Sequence, residues 1–239
     1  MENSELVRRA LAALRSEPRL GPTFKLDLIR MEPDGAALLE GEVETVAEKR
    51  LALERVAAIP DLNGIVDRIR VRPAAMMSDD GIRDHLRKVF ALEPAFEGLR
   101  ITEWDGENAS EVRGATRDGE IEFEVEGGVV TLNGTLAGLA SKRLAGVLAW
   151  WIPGSRDVIN GIAVTPPEQD APILVEEAVR LALEKDPLVD AAQVRVGVRG
   201  RVVRLTGWTK TQAMRAAAEA DAWFVFGVDD VINDIEVGS

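Results

Sequence analysis

Three times along this chain a short apolar run closes on a glycine, at Leu39-Glu40-Gly41, Leu132-Asn133-Gly134 and Leu205-Thr206-Gly207. Thirty residues beyond each glycine stands a valine: Val71, Val164 and Val237. Repetition at a fixed spacing restricts the fold to a series of equivalent supersecondary units. Inside that window the copies agree in character without a gap. Ala47, Ala140 and Ala213 match; Lys49, Lys142 and Arg215 are all cationic; Ile59, Ile152 and Val225 are all β-branched. The closing segments match best: Ile65-Val66-Asp67-Arg68-Ile69-Arg70-Val71, Val158-Ile159-Asn160-Gly161-Ile162-Ala163-Val164 and Val231-Ile232-Asn233-Asp234-Ile235-Glu236-Val237. Their alternation of apolar with polar or small residues predicts a strand with one buried face.

Ahead of each marked glycine lie Asp34-Gly35, Gly127-Gly128 and Gly200-Arg201, which suit the tight turn of a β-hairpin ending at that glycine. Further back, an acid precedes proline in every copy: Glu17-Pro18, Glu93-Pro94 and Asp186-Pro187. Counting back from each proline by twelve, eight and four residues gives Leu6, Ala10, Leu14, then Ile82, Leu86, Phe90, then Val175, Val179, Leu183. That is the stripe of an amphipathic helix, which the proline then ends. A second helix follows each glycine, over about 45–58 in copy one. The expected class is α+β: three tandem αββαβ modules, each a small mixed sheet with two helices on one face. The modules cover 1–74, 75–168 and 169–239. Copy two carries a surplus near 98–120, a long loop or an added hairpin, since Pro94 and Gly134 stand 40 residues apart against 23 for Pro18 and Gly41, and an insertion of this length is the expected place for specialisation.

Composition narrows function more than fold. With 41 acidic against 29 basic residues the net charge is -12, which repels phosphate backbones at long range and argues against nucleic acid. The absence of cysteine removes disulfides, thiolate nucleophiles and thiolate metal sites. No apolar stretch approaches the length of a membrane span, and the first residues lack the pattern of a secretory leader. The sequence as it stands reads as cytoplasmic, or as periplasmic if a leader has been removed.

The order of elements, the strand glycine and the closing pattern resemble the BON family, named for bacterial osmotic-shock and nodulation members. Copies two and three carry the pattern through Ile159-Asn160-Gly161-Ile162-Ala163-Val164 and Ile232-Asn233-Asp234-Ile235-Glu236-Val237; copy one has Asp67 in place of the asparagine. The resemblance covers nearly the whole chain apart from the insertion. It implies a non-enzymatic module, of a kind proposed to bind phospholipid surfaces in envelope proteins, with no catalytic residues to carry over and with Gly41, Gly134 and Gly207 as structural glycines.

Candidate binding residues follow from the repeat. Trp150-Trp151 and Trp223-Phe224 occupy equivalent places near the end of the second helix, where copy one has Ala57-Ala58. Adjacent helical residues point about 100° apart. One of each pair therefore faces outward to a lipid interface or protein partner, or else both pack within and between modules. Lys49-Arg50 and Lys142-Arg143 either meet headgroup phosphates or line a solvated helix face. His85, the one histidine, has no predicted partner and reads as a surface residue. Residues 197–201 read as a cationic hairpin turn, and Asp79 as the cap of a helix starting near Gly81. No metal or cofactor site is expected. These features predict a non-enzymatic tandem binding or scaffold protein contacting a phospholipid surface or a protein partner in a bacterial envelope-stress setting; the alternative is a small-ligand or cation sensor.

Overall fold

The computed structural model describes residues 2–115, 117 and 119–238. The chain forms two compact units, residues 1–72 and 73–239.

In the first unit α1 (Glu2–Arg15) buries Leu6, Ala10 and Leu14, the predicted stripe. Strands β1 (Leu28–Met31) and β2 (Ala36–Val43) pair antiparallel, and β3 (Gly64–Val71) lies parallel to β2, giving the order β1-β2-β3. Between them α2 (Val46–Ala57) crosses back, as a parallel pair requires. Thr45 caps it by accepting the Glu48 N–H at 3.1 Å, while the Glu48 carboxylate accepts the Glu44 N–H at 2.7 Å. Glu17 is buried and holds α2 to the segment after α1: its carboxylate accepts from the Arg19 guanidinium at 2.9 Å and from Arg55 at 2.7 Å. The hydrogen bond from Arg19 outweighs the cost of burial and lowers its pKa to about 2.

The second unit contains two further copies of that arrangement. In the first of these, α3 (Asp79–Leu92) buries Ile82, Leu86 and Phe90, and α4 (Leu139–Trp150) follows strands β4 (Arg100–Asp105), β5 (Asn108–Arg113), β6 (Glu120–Glu126) and β7 (Val129–Leu136). The surplus is therefore an added hairpin: β4 and β5 pair antiparallel, and β4 joins the module's sheet parallel to β6. Phe90 anchors the core edge-on to Phe96 and Phe123, with ring centroids 5.7 and 5.8 Å away. The closing strand is interrupted, as β8 (Asp157–Asn160) and β9 (Ala163–Val164), both parallel to β7. Its sheet thus has six strands, against three in each of the others.

The last copy comprises α5 (Pro172–Lys185), β10 (Val194–Arg199), β11 (Val202–Thr209), α6 (Gln212–Phe224) and β12 (Asp230–Val237), in the sheet order β10-β11-β12. Val175, Val179 and Leu183 are buried, and residues 200–201 form the predicted turn, with Gly200 at φ +64°.

Two expectations need correction. The marked glycines do not end their strands, which run two residues further, to Val43, Leu136 and Thr209. Each glycine lets its strand pass close to the backbone of the strand before it: a Cβ on Gly41, Gly134 or Gly207 would come within 3.0 Å of Asp27 N, Glu120 O or Gln193 O. Gly134 and Gly207 also hold φ of +110° and +125°, which side-chain-bearing residues rarely adopt. Nor does Asp79 cap α3. Ser78 does, accepting the Gly81 N–H at 3.2 Å, while Asp79 accepts the Gly127 and Gly128 N–H groups of the β6–β7 turn, both at 2.8 Å.

Candidate binding site

The predicted cations are drawn into the structure. Lys49 is buried, and its ammonium donates to the Ile69 carbonyl at 2.7 Å and pairs with Asp67 at 2.8 Å. This arrangement explains the asparagine of the closing strand. Asn160 and Asn233 donate their side-chain amides to the Lys142 and Arg215 carbonyls, at 2.8 and 3.1 Å, and accept the N–H two residues on. Asp67 has no amide proton to give, so in copy one the Lys49 side chain supplies the link. Arg50 is half-buried and engaged. Lys142 lies 5.0 Å over the Phe226 ring, and burial, with Arg143 adding to it, lowers its pKa.

Arg143 is fully buried. Its Nε donates to the Phe226 carbonyl at 2.8 Å, and its Nη2 forks onto Asp170 at 2.7 and 2.8 Å, while Nη1 has no partner among the described residues. It fastens α4 to the loops before α5 and after α6. Arg143→Ala is expected to lower the stability of the 73–239 unit by about 2 kcal/mol in urea titration; the figure sits below the usual range for a broken buried pair because Asp170 is half-exposed and rehydrates.

The aromatic helix ends meet one another. Trp150 stacks on Phe224 with centroids 5.9 Å apart and planes 11° apart. Trp151 donates its indole N–H to Asp221 Oδ1 at 2.9 Å, and Trp223 is buried. Three of the four aromatics are therefore brought together where α4 faces α6, so that copies two and three share one compact unit. Copy one, with Ala57-Ala58 in that place, forms a unit by itself. His85 is exposed, its Nδ1 lying 2.8 Å from the Gly81 carbonyl.

Beside the stacked aromatics opens a pocket of about 360 Å³, lined by Trp151, Asp186, Pro187, Leu188, Ala217, Ala220, Asp221 and Phe224. Asp221 is 2% exposed, and its Oδ2 has no hydrogen-bond partner among the described residues. Burial pushes its pKa up to about 8; the Trp151 hydrogen bond opposes the rise, and the neighbouring Asp186 carboxyl adds to it. Neither acid stood out as a site in the sequence. A signal was present all the same: Asp221 sits in register with the buried Ala218, Ala222 and Val225 on the inward side of α6.

A second charged feature lies on the open face of the six-stranded sheet. Ile121, Phe123 and Val125 of β6 enter the core, so Glu120, Glu122, Glu124 and Glu126 line the opposite side. Thr102 and Trp104 of β4 stand in register with Glu122 and Glu124. None of the four glutamates has an ion pair among the described residues.

The BON domain sequence profile matches residues 5–73, 105–166 and 174–239, most of the chain. The chain belongs to the BON family. Its middle BON match starts inside the added hairpin, leaving α3 outside although α3 fills the place of α1 and α5. No curated protein matches significantly. Two solved structures of CdsD, a structural protein of the type III secretion system of Chlamydia trachomatis, align at 15% identity over 98% of this chain, covering 98% and 92% of theirs. Their TM-score of 0.25 carries no argument about this protein. Among the described residues no helix is long and apolar enough to cross a membrane, and no group of histidine and acidic side chains is placed to hold a metal.

Proposed function

We propose that this BON protein is a non-catalytic binding protein that docks a basic protein partner on the open sheet face of its second module. The carrying observation is the row Glu120, Glu122, Glu124 and Glu126, without an ion pair among the described residues and flanked by Trp104. Unpaired carboxylates in register raise the local concentration of a cationic partner, and an aromatic beside them gives it apolar contact area. The family's association with envelope-stress proteins fits an adaptor role in that setting.

An anionic lipid surface is the weaker reading. Lys49 and Arg143, two of the four cations that reading needs, are buried in internal ion pairs. Of the aromatics that would enter a lipid interface, Trp150 and Phe224 stack on each other, Trp223 is buried and Trp151 is half-buried and held by Asp221. Two measurements test the choice. A lysine-rich peptide is expected to bind at low ionic strength and to weaken as salt is added. The triple variant Glu122→Gln, Glu124→Gln, Glu126→Gln is expected to lose about tenfold in affinity. Flotation of the folded protein with anionic vesicles, or equal peptide binding by the triple variant, overturns the reading.

A further inference from the structure

We propose that the pocket lined by Trp151, Asp186, Leu188, Ala217, Asp221 and Phe224 is a binding site for an organic cation, an ammonium or guanidinium group carried on an apolar stem. The repeat itself indicates a missing charge. Every copy places an acid before a proline, and each acid accepts the N–H two residues on: Glu17 from Arg19, Glu93 from Ala95, Asp186 from Leu188. In copy one the acid is neutralised by Arg19 and Arg55, and in copy two by Lys185 at 2.9 Å. In copy three no cation pairs with Asp186 among the described residues, and the pocket opens where the cation would be.

Asp221 is the independent observation. It lines the same pocket, is almost completely buried, and leaves Oδ2 without a partner among the described residues. An unpaired buried carboxyl is satisfied by a proton or by a cation. The groups set against it are the Trp151 indole from α4 and the Asp186 carboxyl from the end of α5; Lys185 next door is turned to Glu93. Both acids lie at the C-terminal ends of their helices, where the backbone carbonyls also favour positive charge. Trp151 and Phe224 offer aromatic surface to a cation, and Leu188, Ala217 and Ala220 offer apolar contact to its stem. The volume is within the range of small-molecule sites. On binding, the ammonium replaces the proton on the buried Asp221 carboxyl, and that proton passes to the buffer. The cation comes either from a free amine or from a lysine or arginine side chain of a partner. This site is separate from the β6 glutamates, so the two proposals fail independently.

The test uses the full chain, benzylammonium as the free amine, a capped tripeptide with a central lysine as the side-chain source, and benzyl alcohol as the uncharged control. Titration calorimetry and the Trp151 indole N–H resonance are the readouts. Saturable binding of benzylammonium is expected with a Kd of about 1 mM or tighter. Binding should release a proton and be about fiftyfold weaker near pH 6 than near pH 8. The Asp221→Asn variant keeps an acceptor for Trp151 and should lose the binding; Asp186→Asn, on the exposed side, should weaken it and serves if the first variant does not fold. Binding of the tripeptide alone assigns the site to a partner's side chain, and binding of benzylammonium, with or without the tripeptide, assigns it to a free amine. Absence of binding by both, equal binding of benzyl alcohol, or undiminished binding by Asp221→Asn overturns the proposal.

Discussion

Gly207→Ala will unfold the 73–239 unit well below the temperature of the wild type, with a loss of roughly 4 kcal/mol. Two terms add. A side chain at φ +125° costs about 1–3 kcal/mol in backbone strain. The new Cβ also falls against the Gln193 carbonyl oxygen and the Val194 Cα, backbone atoms that cannot move aside without breaking the β10–β11 ladder, for a further cost of about 1–3 kcal/mol. Gly197 in the neighbouring strand β10 is the control. A Cβ there meets nothing within 4 Å, so Gly197→Ala should leave stability nearly unchanged. Because residues 1–72 form their own compact unit, a calorimetric scan of Gly207→Ala should show only the transition of the larger unit displaced. A variant melting with the wild type would mean that the glycine is not needed for the close strand approach, and the equivalent positions Gly41 and Gly134 would lose the same explanation.

The fold was legible in the chain because its determinants are local and stated three times. Leu6, Ala10 and Leu14, and their counterparts in the other copies, sit at helical spacing, and all nine are buried. The alternation in the closing strands gave their buried faces, as Ile69 and Ile235 show. Even the insertion announced itself by length, though its two turns of chain carried no pattern strong enough to separate a hairpin from a loop. What escaped depends on partners far away in sequence. Arg143 stands in a Lys-Arg pair that looks solvated, yet Asp170 and the Phe226 carbonyl, 27 and 83 residues on, provide the acceptors that let it enter the interior. Trp150 and Trp151 were singled out for their aromatic surface, but only the fold reveals that the surface they cover is that of α6. Asp221 is the converse case. A lone carboxyl among alanines reads as the exposed side of a helix until the stripe Ala218, Ala222, Val225 is counted, and then its burial demands a proton or a partner.

That demand makes stability depend on pH in a direction unusual for an aspartate. Asp221 titrates near 8 in the folded chain and near 3.8 when solvated, so between those values the folded state holds a proton that the unfolded chain has released. Its contribution to stability is complete below about pH 4, falls steadily as the pH rises, and is gone above about pH 8. Asp221→Asn removes the titration while retaining the shape of the side chain, since the amide oxygen accepts from Trp151 and the amide carries no charge to desolvate. In urea titrations between about pH 5 and pH 8 the variant should therefore gain roughly 3 kcal/mol on the wild type, each pKa unit being worth about 1.4 kcal/mol. Every other titrating group is common to both proteins, so the difference between the two curves isolates position 221. The contact with α4 predicts a second sign of the same event: as wild type loses the proton, repulsion from Asp186 acts on α6, the helix that carries Asp221 and Phe224, and the Trp150–Phe224 stack should loosen with a matching midpoint in tryptophan fluorescence. Parallel stability curves for the two proteins would show that the carboxyl is ionised throughout, and would leave the pocket without the proton that an arriving cation displaces.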